Sequence, residues 1–272
     1  MNTVVRILGG LPPETFGEQL AAVCRILRLS AQRIRTEAWE LAGPVDRCAV
    51  LRELLPLTRS EGAVIAISQA AGAPRAMLFD LDSTLTGCEF LDLLAQAAGL
   101  GNQTQASTRA AMEGQMDFAT SYRERVALLA GTPVAQAEVL IRRLPLADGA
   151  IELFGALRAR AIPTAIVTGG YARVGRAVQE RLGADALYAT ELEEQEGRLT
   201  GRFAGALVDA AAKVAALDDF CARCGLQRND CAAVGDGAND LPLLAAAGCG
   251  ILYTAAPENA ARRVAISRLL DF

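Results

Sequence analysis

Histidine is absent from all 272 residues. That excludes a Ser-His-Asp triad, a Cys-His dyad and any histidine-bearing metal site within this chain, and it makes carboxylates the first candidates for acid, base or nucleophile. Lysine is almost as scarce. Of the 27 lysines and arginines only Lys213 is a lysine, so arginine serves the exposed cationic positions and one compact ammonium invites a specific use. There is no concentrated basic tract and the net charge is -4, which argues against nucleic acid as the principal partner while leaving local anion pockets open. No apolar run reaches the roughly 18 residues of a membrane-spanning helix. The opening MNTVVRILGGLPPETF lacks a signal-peptide apolar region followed by a cleavage site. The expectation is a cytoplasmic protein without a membrane partner. Seven cysteines form an odd set with no compact disulfide-rich pattern, as expected of reduced thiols rather than a disulfide framework.

Alternation between strand-like and helix-like periods organises what is present. TVVRIL (3–8) reads as a strand and ETFGEQLAAVCRILRL as an amphipathic helix. AQRIRTEAWEL is mixed with some strand character, DRCAVLRELLPLTRSEG suggests a short helix, and AVIAISQ a strand. AGAPR (71–75) is the expected linker, dividing a small α+β unit (1–74) from the main unit (75–272). AMLFDLD opens the main unit as a buried strand, and the run from EFLDLLAQAAGL to about 145 is largely helical. Beyond it, AIELFGALRARA (helix), IPTAIVTGG (strand), VGRAVQERLG (helix), LYAT, a hairpin-like LEEQEGRLTG, DAAAKVAALDDFCARCG (helix) and CAAVGDGAND follow in turn. This pattern predicts an α/β fold with a parallel sheet and helices on its faces. The helical segment inserted after the first strand, about 86–146, is placed to cover a cleft.

Loops converge at the carboxyl ends of parallel strands, and four segments supply chemistry there. LFDLDST offers Asp80 and Asp82, IVTGG offers Thr168, DAAAK offers Lys213, and AVGDGAND offers Asp236 and Asp240. Each alone reads equally well as a strand-end turn or a solvated helix residue; the ordered set of four favours phosphoryl transfer. Asp80 and Asp82 share a side if the backbone stays extended. Asp80 would attack phosphorus and Asp82 would exchange a proton with the leaving oxygen and then with water. Mg²⁺ suits the oxygen donors of Asp80, the Asp82 carbonyl and Asp236, with Asp240 binding directly or through water. Thr168 and neighbouring N–H groups would hold a phosphate oxygen, and Lys213 would neutralise another.

At these residues the sequence resembles the haloacid dehalogenase phosphatase superfamily, whose DxDx[TV], Ser/Thr, Lys and GDxxxD motifs stand here as DLDST, VTGG, Lys213 and GDGAND. Over about 76–258 it is similar to the phosphoserine phosphatases within that superfamily. The resemblance implies a Rossmann-like core, a helical cap, Mg²⁺ dependence and hydrolysis of L-phosphoserine to L-serine and phosphate, the last step of serine biosynthesis. It assigns nucleophilic attack to Asp80 and acid/base work to Asp82. Glu89 falls to the substrate ammonium, Arg125 to its carboxylate, and Met112 and Phe118 to apolar cap contacts. Thr168, Gly169, Lys213, Asp236, Asn239 and Asp240 fall on phosphate, metal or substrate positions. Residues 1–74 resemble a divergent ACT-like module, and such modules bind amino acids or mediate homodimers.

The sequence departs from the pattern in places. Thr168 stands where serine is frequent, and LYTAAPENA replaces an alanine-lysine-proline stretch. Cys88 beside Glu89 and the CARC pair Cys221/Cys224 with Cys231 read as packing residues rather than redox or zinc sites. Other functional classes consistent with the residues are a different small-molecule phosphatase or phosphotransferase using the same aspartyl phosphate, and a non-enzymatic amino-acid sensor.

Overall fold

The computed structural model describes residues 3–69, 72–101, 118–258, 261 and 263–271. The first elements are β1 (Thr3–Gly9), α1 (Pro13–Leu27), β2 (Ser30–Arg35), β3 (Ala38–Ala42), α2 (Arg47–Glu61) and β4 (Val64–Ser68). This βαββαβ sequence, with strand order β2-β3-β1-β4, is the split βαβ arrangement. α1 buries Phe16, Leu20, Val23 and Cys24, one face at helical spacing. α2 begins where the Asp46 carboxylate accepts from the Cys48 and Ala49 N–H groups and ends at Gly62, whose φ of 62° suits glycine. The mixed stretch at 31–41 forms two strands. β2 is an edge strand with every residue exposed, so it lacks the apolar alternation that would mark it in sequence.

The main unit contributes β5 (Ala76–Phe79), α3 (Phe90–Ala97), α4 (Phe118–Leu128), α5 (Val134–Arg143), α6 (Ala150–Ala159), β6 (Thr164–Tyr171), α7 (Ala172–Leu182) and β7 (Ala186–Thr190). It continues with the hairpin β8 (Leu192–Gln195) and β9 (Arg198–Phe203), then α8 (Ala210–Cys224), β10 (Cys231–Gly235), α9 (Leu241–Ala246) and β11 (Cys249–Leu252). β11-β10-β5-β6-β7 run parallel. The chain moves outward from β5 through β6 to β7, then returns to the opposite side of β5 with β10 and β11. β5 is therefore the switch point, and its carboxyl end opens into the crevice where ligands bind in such sheets.

Period-two alternation sends side chains to two apolar layers. Met77, Phe79, Ile166 and Val234 face α3, α4 and α6, whereas Leu78, Val167 and Ala233 face α8 and α9. The second layer does not stop at the linker. Ile65, Ile67, Phe16, Leu20, Leu51 and Leu54 of the first unit belong to the same contiguous cluster as Leu217, Phe220 and Leu243.

Sheet pairing joins the units as well. β4 pairs antiparallel with β11, with Ser68 opposite Cys249 and Ile65 opposite Leu252. β4 and β5 are consecutive in sequence, yet β11 and β10 lie between them in the nine-stranded sheet. Gly250 lets α9 lie close against β11, since a Cβ there would lie 2.3 Å from the Leu244 carbonyl oxygen. Arg47 closes the seam. Its buried guanidinium donates to the carbonyls of Ala247 (2.6 Å), Ile67 (3.1 Å) and Leu244 (3.2 Å), satisfying the otherwise orphaned end of α9.

The inserted helices pack over β5 and β6 through Leu91, Leu94, Tyr122, Val126 and Leu129. The hairpin clasps them: Gly131 N donates to Leu199 O, Val134 N to Gly197 O, and the Tyr122 and Phe203 rings lie 5.8 Å apart.

Replacing Arg47 with Met keeps the volume but leaves three buried carbonyls without their donor. The expected loss is about 3–5 kcal/mol in urea unfolding, with both units still melting in one transition. Separate transitions, or a loss below about 1 kcal/mol, would contradict this account of the seam.

Candidate active site

Asp80 directly follows β5, and its N–H donates to Val234 O on β10 (2.9 Å), so the sheet ladder itself fixes the residue. The next residues wind into a tight nest. Leu81 O accepts from the N–H groups of Leu85 (2.9 Å) and Thr86 (3.0 Å), while Ser83 takes φ 58°. The turn begins at Asp82, so the extended backbone that would put Asp82 on the side of Asp80 ends there. Asp82 Oδ1 accepts from Phe90 N (2.9 Å) at the start of α3, and a Cβ on Gly170 would come within 2.5 Å of Asp82 Oδ2 and 2.9 Å of Thr168 Oγ1. Gly170 thus leaves room for the two side chains to converge. Thr168 lies where β6 breaks register with β7, and its hydroxyl accepts from Gly170 N (2.8 Å).

α8 delivers the lysine. Asp209 caps its first turn by accepting from Ala212 N (2.9 Å), and the buried face Lys213, Ala216, Leu217 and Phe220 sets the register. Lys213 has no exposed surface; Nζ donates to Asp80 Oδ1 (2.5 Å) and Asp240 Oδ1 (2.6 Å). Burial works against its charge, but the Asp240 and Asp80 carboxylates together outweigh it and hold the ammonium's pKa above that of a free lysine. The acidic loop needs both its glycines for space: a Cβ on Gly235 would stand 2.6 Å from Asp240 Cγ, and one on Gly237 would stand 2.3 Å from Asn239 Oδ1. Gly237 N then donates to Asp240 Oδ2 (3.1 Å).

Asp80, Asp236 and Asp240 each direct a carboxylate oxygen into a common space, all within 4.8 Å of one another. Three buried oxygen donors match the preference of a hard divalent cation. The Asp82 carboxylate stands outside this group, leaving only its carbonyl for the ligand role expected from sequence. Burial raises the pKa of Asp80, with Asp240 adding to the effect and Lys213 opposing it. Burial also lifts Asp236 well above the usual carboxylate range, against the pull of Arg59. Asp82 is pushed up to about 7 by burial and by Glu89, which suits a carboxyl that gives and takes a proton near neutrality.

Glu89 and Arg125 face one another under the inserted helices. Arg125, only 2 % exposed, places Nη1 3.8 Å from Glu89 Oε2 and 3.9 Å from Asp92 Oδ1, with its guanidinium carbon 5.3 Å from the Tyr122 ring. Ser83 Oγ donates to Glu89 Oε1 (3.0 Å), tying this pair to the Asp82 turn. Gly169 is buried in the Thr168 loop and Asn239 is half-buried in the acidic loop. Met112 and the side chain of Phe118 lie outside the described residues. Cys88 is a poor nucleophile, since burial, reinforced by Asp82 and Glu89, pushes its thiol up to about 11. Cys221 and Cys231 are buried free thiols, and among the described residues no cysteine belongs to a metal-binding cluster.

The sequence profile of the haloacid dehalogenase-like hydrolases matches residues 77–245. The chain belongs to that family. Within it, a phosphoserine phosphatase of Archaeoglobus fulgidus is 39 % identical over 181 residues, 66 % of this chain and 53 % of that one. Alignments to this and two further curated phosphoserine phosphatases take in about half of each relative's length. A solved phosphoserine phosphatase described as a phospho-aspartyl intermediate analogue is 36 % identical, with a TM-score of 0.62 over 65 % of this chain and 85 % of that one. A haloacid dehalogenase family hydrolase from Salmonella enterica serovar Typhi is 28 % identical with a TM-score of 0.64, and it covers 91 % of this chain and 88 % of its own. The α/β core, the helical cap and the small α+β unit expected from sequence are the architecture observed.

Sequence reasoning missed several contributors. Asp92, three residues beyond Glu89 on α3, was detectable from helical spacing. Ser83 and Gly170 sit inside the motifs that were read, but their contacts depend on loop geometry. Arg59 had no local signal: it lies on α2, 177 residues from the Asp236 carbonyl to which its Nε and Nη2 donate (3.4 Å each).

Lys213→Met leaves the buried Asp80 and Asp240 without their ammonium, and thermal unfolding in chelator is expected to show a loss of about 3–5 kcal/mol, partly recovered by millimolar Mg²⁺. Unchanged stability in chelator would contradict the pairing described here.

Proposed function

We propose that the protein is a Mg²⁺-dependent phosphatase that hydrolyses O-phospho-L-serine to L-serine and phosphate, placed in the cytoplasm as the last step of serine biosynthesis. The observation that carries this reading is the meeting of two half-sites: the Asp80–Lys213–Asp240 cluster with Asp236, and the Glu89–Arg125 pair joined to it through Ser83 and the Asp82 turn. The first half matches a phosphate, the second a zwitterion. A ligand carrying both an ammonium and a carboxylate would exchange with the Glu89–Arg125 pair, each charge finding its opposite.

In the proposed reaction an oxygen of Asp80 forms a bond to phosphorus in line with the serine oxygen, whose bond to phosphorus breaks as Asp82 gives it a proton. Asp82, now a carboxylate, takes a proton from the water that attacks the phospho-aspartate, and phosphate leaves with Asp80 restored. Lys213 and Thr168 receive the transferring oxygens. Asp80, Asp236, Asp240 and the Asp82 carbonyl would hold Mg²⁺, which when bound neutralises phosphate charge. The cap helices and the β8–β9 hairpin exclude bulk water from this step.

The −4 charge supports a small phosphate ester rather than nucleic acid as the partner. Among the described residues no helix is long and apolar enough to cross a membrane. All seven cysteines are free thiols, which supports a reducing compartment. We assign residues 1–74 an assembly role: β2 offers a fully exposed edge at which a second copy would extend the sheet.

Phosphate release from L-phosphoserine, compared with phosphothreonine and sugar phosphates in Mg²⁺, tests the reading. Asp80→Asn should abolish turnover of every ester. Arg125→Met should raise KM for L-phosphoserine by about 100-fold, on the scale of a lost buried charge pair, while changing KM for a simple alkyl phosphate less than about threefold. Equal losses on both substrates would remove the amino-acid reading and leave the superfamily chemistry.

A further inference from the structure

Three carboxylates converge at the candidate metal position, and Lys213 pairs with only two of them. It lies on Asp80 and Asp240. The third, Asp236, meets its cation from the other unit. Arg59 near the end of α2 sets Nη2 3.7 Å from Asp236 Oδ2 and, with Nε, donates to the Asp236 carbonyl. The contact is well shielded, since the Arg59 side chain is 18 % exposed and that of Asp236 5 %. At such burial a charge is little screened by salt. The arginine is also anchored by its backbone: Arg59 O accepts from Glu258 N (2.9 Å) in the loop that follows β11. That loop, Thr254-Ala255-Ala256-Pro257, carries no cation of its own. Arg59 lies outside the segment matched by the family profile, residues 77–245, so it is an addition to the family core.

We propose that Arg59 is a charge-balancing residue of the active site, supplied by the N-terminal unit, which lets the acidic cluster accept a dianionic phosphate ester. The inference rests on the phosphatase reading above. Three carboxylates and one ammonium sum to a net charge of -2, which a divalent cation brings only to neutrality, so the site then holds no net positive charge for an incoming dianion. A second fixed cation beside Asp236 makes the balance positive without occupying the ligand space. The role is electrostatic: Arg59 acts through the summed field at the cluster, and it contacts none of the reacting atoms. It gives the N-terminal unit a direct part in substrate affinity, since any shift of α2 against the β4–β11 seam moves the guanidinium.

The test uses the full chain with Arg59→Met, which removes the charge at similar length, and Arg59→Lys, which keeps it. Two binding readouts accompany kinetics: Mg²⁺ affinity by calorimetry, and affinity for inorganic phosphate in saturating Mg²⁺. Arg59→Met should weaken phosphate binding and raise KM for L-phosphoserine by about tenfold each, with kcat within about twofold and Mg²⁺ affinity undiminished. Arg59→Lys should stay within about threefold of the parent in every readout. Unchanged phosphate affinity and KM in Arg59→Met would overturn the proposal. Weakened Mg²⁺ binding in that variant would overturn it as well, because Arg59 would then serve to orient Asp236 as a ligand. If Arg59→Met fails to fold by circular dichroism, Arg59→Gln carries the same comparison. A parent protein that binds phosphate with Mg²⁺ yet does not hydrolyse L-phosphoserine would fault the substrate reading and leave the Arg59 comparison intact.

Discussion

A lysine ammonium with no exposed surface is tolerable only where carboxylates meet it, and here Lys213 touches Asp80 from β5 and Asp240 from the turn after β10. That three-way contact fixes how two adjacent strands and α8 sit against each other at the switch point of the sheet. It is also a compact store of electrostatic free energy. Desolvation favours neutral carboxylates, yet the ammonium between them keeps opposite charges in place, while Asp236 completes a set of oxygens suited to a divalent cation. The rest of the site is arranged around this core: Gly235 and Gly237 open room for the acidic loop, Gly170 lets Asp82 approach Thr168, and the Phe90 N–H fixes the Asp82 carboxylate, which stands outside the three converging acids.

The two units are built to act together. A sheet in which β11 and β10 separate β4 from β5 has no simple line along which to come apart. Arg47 and the continuous apolar layer reinforce the join. One consequence is that an arginine of the first unit reaches the acidic loop of the second, so the charge balance of the site belongs to the whole chain.

Much of this was legible in the sequence because each motif is local. DLDST, VTGG, the DAAAK helix start and GDGAND carry their own backbone instructions, and parallel topology brings strand ends together once the alternation is recognised. The fold class followed from the same alternation. What escaped was non-local or featureless. β2 shows no apolar period because it is an edge strand, and β11 is a short apolar run with a glycine inside. Arg59 looks like any cation on a helix until α2 is packed against the acidic loop. Family resemblance assigned Glu89 and Arg125 to the two charges of a substrate; that they face each other, with Ser83 and Asp92 beside them, depends on loop and helix geometry that no motif states.

The account stands or falls on a phosphoryl group residing on Asp80 during turnover. Rapid acid quench of the enzyme with L-phosphoserine and Mg²⁺, followed by peptide mass spectrometry, examines this directly. A phosphoryl adduct confined to the peptide containing Asp80 and lost after substrate is exhausted is the expected result. Turnover without any adduct there, or an adduct on another residue, would contradict the mechanism.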